Sequence, residues 1–107
     1  MKHSAGLIFL LAALLEVSGD ALIRKGLHVR GVIFVALGVL ILGTYGIVVN
    51  TVKWDFSKLL GVYVAVFATV SVLFGRYVFR ETIPPATWIG LVVIITGGLI
   101  IQYGSAL

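Results

Sequence analysis

The chain contains no cysteine, which excludes a disulfide framework, a thiolate metal site and a cysteine nucleophile. Charge is scarce as well. Only 11% of the 107 residues are charged, whereas 61% are apolar and the mean hydropathy is +1.19. A water-soluble domain of this size needs far more charge to cover its surface, so the outer solvent is lipid. Proline occurs only at Pro84 and Pro85, where the first turn of a helix tolerates it. A Gly-rich phosphate loop, a nucleophile elbow and a metal-ligand cluster are all missing, and His3 and His28 are isolated near span ends, so neither an enzyme nor a metal or cofactor protein is expected. The net charge is +4. With no basic run interleaved with aromatics, it reads as membrane-flank anchors and not as a nucleic-acid footprint.

Four apolar stretches remain, at residues 4–23, 31–51, 59–79 and 85–103. Each is near the ~20 residues that a helix needs to cross ~30 Å of hydrocarbon. The short connections at 24–30, 52–58 and 80–84 make successive helices antiparallel neighbours. The expected fold is therefore an all-α membrane protein, one domain over residues 1–107, with four transmembrane helices in a hairpin bundle. Lys2 before an apolar run resembles the start of a signal peptide, but Glu16 and Asp20 spoil its end, and helix 1 is expected to be retained. Orientation is nearly balanced. Lys2, Lys53 and Lys58 fall on one side and Arg24, Lys25, Arg30, Arg76 and Arg80 on the other; with Arg24 and Arg76 inside their helices the tally is three against three. A chain so balanced can insert either way round.

The chemistry concentrates in LLEVSGDALIRKGL, residues 14–27. Glu16 lies about twelve residues into helix 1, roughly 18 Å along it, near mid-bilayer. An ionised carboxylate there costs ~2.5–3.5 kcal/mol or more, so it calls for a proton or a cation. Asp20 and Arg24 stand at i,i+4 and can form an ion pair near the membrane edge, where Arg24 can snorkel. Helix 1 then offers Glu16 no basic residue one turn away in sequence, and Ser18 and Gly19 open space beside it. It reads as a carboxylate that binds substrate and proton.

The other helices supply walls and contacts. Gly61, Ala65 and Thr69 of helix 3 form a small-residue face for close helix contact, and Tyr63 and Phe67 share a neighbouring face. Aromatic rings beside an acidic cavity can hold an organic cation by cation–π attraction. Helix 2 carries Gly38, Gly43 and Gly46 as packing glycines, with Tyr45 as a further cavity wall. Trp54, Trp88 and Tyr103 fit the interfacial aromatic belt. In helix 4, Gly90 and Gly97 stand seven apart on one face and suggest a helix–helix contact, within the bundle or between subunits.

With these residues placed, the chain resembles the small multidrug resistance family of the drug/metabolite transporter superfamily over essentially its whole length. The family's helix 1 has an essential glutamate, a small residue close behind it and a basic residue eight positions on; Glu16, Gly19 and Arg24 fit that layout. Gly90 and Gly97 match two helix 4 glycines through which family members dimerise, and FRETIPPATWIG looks like the lead into the superfamily's terminal helix. Helix 3 departs from the family: Tyr63-Val-Ala-Val-Phe67-Ala-Thr replaces Tyr-Ala-x-Trp followed by Gly-x-Gly. Asp20 also departs, being an acid where the family commonly has a neutral residue.

Four helices are few for alternating access, so at least two chains should assemble. The helix 4 glycines and the weak charge bias fit a homodimer, which the resemblance implies is antiparallel, with an inverted repeat made by assembly. The expected function is a proton-coupled exporter of small organic or guanidinium-like cations in a bacterial inner membrane. Its partners are membrane lipid, a second copy of itself, the cation and protons. Two rivals are a subunit of a lipid-linked sugar flippase, in which Arg24 and Lys25 would hold a lipid phosphate, and a small membrane scaffold that transports nothing.

Overall fold

A computed structural model describes residues 2–104 of the chain, with side chains described from residue 5 onward. It is all-helical, with four helices and no strand among the described residues: α1 Lys2–Val29, α2 Val32–Val49, α3 Phe56–Tyr77 and α4 Pro85–Tyr103. All four are long and apolar enough to cross a membrane. The chain divides into two compact units, Met1–Val52 and Lys53–Leu107, each a helical hairpin.

Helix ends follow local chemistry more than hydropathy. The expected first span stops at residue 23, yet α1 runs on to Val29, because Arg24 and Lys25 are good helix formers, no proline intervenes and Gly26 is held by its packing against α2. At 1.5 Å per residue its 28 residues reach about 42 Å, well beyond the hydrocarbon. Arg30 then enters the left-handed region at φ 55°, and the Gly31 N–H donates to the Gly26 carbonyl at 2.9 Å. That bond from C″ back to C3 closes a Schellman cap. Helix α2 ends at Val49 under side-chain control: the Asn50 amide donates to the Gly46 carbonyl at 2.7 Å and the Thr51 hydroxyl to Val48 at 2.7 Å. Helix α4 spans the expected residues, with Pro84 as N-cap and Pro85 opening the first turn.

Arg24 and Arg76 both lie inside helices, as the orientation tally supposed, but so do Lys25 and Lys58. A helix that overruns the membrane carries its flanking charges with it, so membership of a helix does not remove a residue from the count.

The first unit is held by a seam of small residues. On α1, Ala5, Ala12, Gly19 and Gly26 recur every seven residues, and all four are buried along with Phe9, Ala13 and Val17. On α2 the buried positions are Gly38 and Val49. In the second unit, Gly61 and Ala65 of α3 do form the close contact expected of them. A Cβ on Gly61 would stand 2.7 Å from Cδ1 of Ile101, and one on Gly98 would stand 2.8 Å from Cβ of Ala65. Outside these seams the helices present apolar side chains, including Val32, Leu40 and Ile47 on α2 and Val92, Val93 and Leu99 on α4. Lipid covers such faces. The hydroxyls of Thr44, Thr69, Ser71 and Thr96 each donate to a carbonyl three or four residues back in their own helix, at 2.8–2.9 Å. They thereby enter the hydrocarbon already satisfied.

Arg80 repeats the left-handed turn at φ 55°. There the Glu81 N–H donates to the Gly75 carbonyl at 2.8 Å, and the Glu81 carboxylate rests 2.5 Å from where a Gly75 Cβ would stand. A left-handed side-chain residue costs roughly 1–2 kcal/mol, partly offset by glycine's greater unfolded-chain freedom. Arg80→Gly is therefore expected to stabilise the hairpin by up to about 1 kcal/mol. A lower thermal midpoint in detergent would show instead that the guanidinium contributes more than its backbone costs.

Candidate functional site

The two helices of the first hairpin approach most closely where glycine meets glycine. A Cβ on Gly38 would lie 2.7 Å from the Gly19 carbonyl oxygen and 2.6 Å from Cγ1 of Ile23. One on Gly19 would lie 3.0 Å from the Gly38 carbonyl and 2.9 Å from Cγ of Leu42. Backbone against backbone leaves no flexible atom to yield, so only glycine fits. Two turns further along α1, Gly26 stands in the same relation to Val35 and the Gly31 carbonyl, at 2.6 and 2.8 Å.

Glu16 lies three residues before Gly19 on α1, on the α2-facing side, and is half-buried. Because the helices run antiparallel, that step leads towards the C-terminal half of α2, beyond Leu42. Tyr45 occupies this stretch. It is half-buried, and its phenol lies within coulombic reach of Glu16 and, more weakly, of Asp20. The hairpin thus places an acid and a phenol together near the middle of a membrane-length helix pair. Ser18 is half-buried next in line, and its hydroxyl, unlike those of Thr44, Thr69, Ser71 and Thr96, donates to no carbonyl among the described residues.

Two expectations change here, and a third narrows to its contact between subunits. Asp20 and Arg24 form no ion pair among the described residues; both side chains are exposed on α1. Arg24 stands at the membrane edge, where its long side chain can reach the headgroup layer instead of turning back to Asp20. Of the α2 glycines, Gly38 packs as expected, but Gly43 and Gly46, which bracket Tyr45, have open space where a Cβ would stand. Finally, Gly90 and Gly97 make no contact within the α3–α4 hairpin: nothing lies within 4 Å of a Cβ on either. The α4 positions that pack inward are Leu91 and Gly98, themselves seven apart and both buried. Sequence reasoning missed Gly98 because it took the first glycine of the Gly97-Gly98 pair. Pairing each glycine with the residue seven before it would have raised both stripes.

In the second unit Tyr63 is buried and Phe67 half-buried, with ring centroids 6.2 Å apart and planes tilted by 30°. Glu16, Ser18, Gly19 and Tyr45 are thus gathered in the first hairpin, and Tyr63 and Phe67 in the second. His28 donates from Nδ1 to the Arg24 carbonyl at 2.9 Å, which is a capping role at the end of α1. The side chain of His3 lies outside the described residues.

Comparison with known proteins places the chain. Residues 3–106 match the model of a family described as "Uncharacterised BCR, YnfA/UPF0060 family". A UPF0060 membrane protein of Mycolicibacterium vanbaalenii is 35% identical over 107 residues, covering 96% of this chain and 97% of that protein. Another from Saccharopolyspora erythraea is 35% identical over 90% of this chain and 89% of its own length. A third, from Staphylococcus carnosus, is 39% identical over 88% of this chain and 89% of its own length. No solved structure matches. With four membrane-length helices and relatives of this kind in several bacteria, the chain is a multi-pass bacterial membrane protein that belongs to the YnfA/UPF0060 family.

Proposed function

We propose that this protein exports small organic cations, guanidinium-like ions among them, in exchange for protons, and that Glu16 is the group for which the two compete. The observation that carries this reading is a half-buried carboxylate deep in a membrane-length helix, within coulombic reach of a phenol and next to a glycine crossing that fixes the helix pair. Such an acid is expensive to hold in hydrocarbon and is by default a functional group. A proton neutralises it, and so does an organic cation, whose apolar body suits a membrane cavity better than a metal ion does. Since one occupant excludes the other, release of either favours capture of its competitor. Net exchange follows.

The resemblance to the small multidrug resistance family supports the same reading through Glu16, Gly19 and Arg24. A homodimer completes the transporter in this account. Gly90 and Gly97, open on α4, supply a face on which a second α4 could lie close.

Purified protein in liposomes with an imposed pH gradient tests the proposal. Guanidinium or tetraethylammonium should accumulate in the more acidic compartment, and a protonophore should abolish the accumulation. Accumulation unaffected by the protonophore would reject proton coupling. Movement of a fluorescent lipid in place of the cations would support a flippase.

A further inference from the structure

The α1–α2 turn carries a charge pattern of which the proposed cation export draws only on Arg24. Arg24, Lys25 and Arg30 fall within two helical turns, and no acid occurs anywhere in residues 21–54. The nearest acid, Asp20, stands four residues before Arg24 and forms no ion pair with it among the described residues, so three basic groups face one acid; at the other connections Asp55 lies between Lys53 and Lys58, and Glu81 follows Arg80. Lys25 is held in place, its Nζ 4.8 Å from the centre of the Phe34 ring. Arg30 occupies a left-handed position that glycine would take without penalty.

Depth identifies the partner. Lys2 and Arg24 are 22 residues apart on one continuous helix, roughly 33 Å, which matches the hydrocarbon thickness of ~30 Å. With Lys2 at one boundary, the stretch from Arg24 to Arg30 stands in the headgroup layer of the other. The neighbouring apolar side chains Leu27, Val32 and Ile33 are between 67% and 81% exposed, a surface fit for acyl chains and unfit for water. Positive charge beside exposed apolar surface at headgroup depth complements a lipid phosphate with its tails attached. We propose that Arg24, Lys25 and Arg30 form a binding site for anionic phospholipid headgroups, held as bound lipid and not as cargo.

Titration of protein in neutral detergent with equal amounts of phosphatidylglycerol and phosphatidylcholine, with bound lipid counted by native mass spectrometry, tests the assignment. Each basic group near an anionic headgroup should contribute about fivefold, so phosphatidylglycerol should be favoured by about a hundredfold. The triple variant Arg24→Gln, Lys25→Gln, Arg30→Gln should lose that preference. Arg30→Gly alone should lose about fivefold, and because glycine suits the left-handed turn, the loss is read on folded protein. Lys53→Gln with Lys58→Gln should leave the preference intact. Equal retention of the two lipids would overturn the proposal, as would a loss in the Lys53/Lys58 variant equal to that in the triple variant. Displacement of phosphatidylglycerol by millimolar inorganic phosphate would also overturn it, because the site would then serve soluble anions.

Discussion

Glu16→Gln should reduce proton-driven cation uptake in liposomes by at least about thirtyfold while leaving the protein folded. Gln keeps the size and polarity of the side chain and removes the charge on which both proton and cation depend. Truncating one partner of a desolvated charge pair typically costs ~2–5 kcal/mol, and each 1.4 kcal/mol is tenfold. Glu16→Asp keeps the charge but withdraws it by one methylene, so uptake should fall less and should still weaken as the pH is lowered, because protons continue to compete. The Gln variant should retain no such pH dependence. Tyr45→Phe removes only a hydroxyl, for which a loss of ~1 kcal/mol, about fivefold, is expected. Uptake unchanged in Glu16→Gln would remove that residue from the site.

Gly38→Ala should destabilise the first hairpin by ~1–3 kcal/mol or more, the usual cost of overpacking, and Gly43→Ala should not. The added methyl at Gly38 meets the Gly19 carbonyl at 2.7 Å and the Ile23 backbone nitrogen at 3.1 Å. Neither can move without parting the helices. At Gly43 the methyl meets open space, and alanine's better helix propensity should stabilise by up to ~1 kcal/mol. Thermal unfolding in detergent should therefore shift in opposite directions for two glycine-to-alanine changes on one helix. Equal shifts would mean that the crossing is not a tight one. Because Gly19 adjoins the Glu16 site, Gly38→Ala should also depress transport, whereas Gly43→Ala should spare it.

How much of this was legible in the sequence depended on what each signal measures. Hydropathy found four spans because lipid demands long apolar stretches. Its limits matched the helix only in α4, where Pro84 and Pro85 make the chemical start coincide with the apolar start. In α1 the two diverge by six residues: apolarity ends at Ile23, whereas the helix runs on to Val29, the last residue before the left-handed turn at Arg30. Glu16 was legible as the costliest charge in the chain. Tyr45 was legible only as a plausible wall, and the register of α1 against α2, set by the glycine crossing, is what brings it to Glu16. No periodicity in α1 reveals which α2 residue faces it. Spacing suggested the Asp20–Arg24 pair as well, but spacing says that two side chains can meet and nothing about whether meeting outweighs their freedom. Gly98 shows the same limit, since two stripes one residue apart in α4 are equally periodic and only packing against Ala65 selects between them.

The central claim is competition between proton and cation at Glu16, and proton release on cation binding measures it without a transport cycle. Purified protein in weakly buffered detergent, mixed with tetraethylammonium in the presence of a pH indicator, should release protons as the cation binds. The release should saturate with the cation and be absent in Glu16→Gln. Saturable cation binding with no proton release by the wild-type protein, at any pH across which binding itself weakens, would contradict the account.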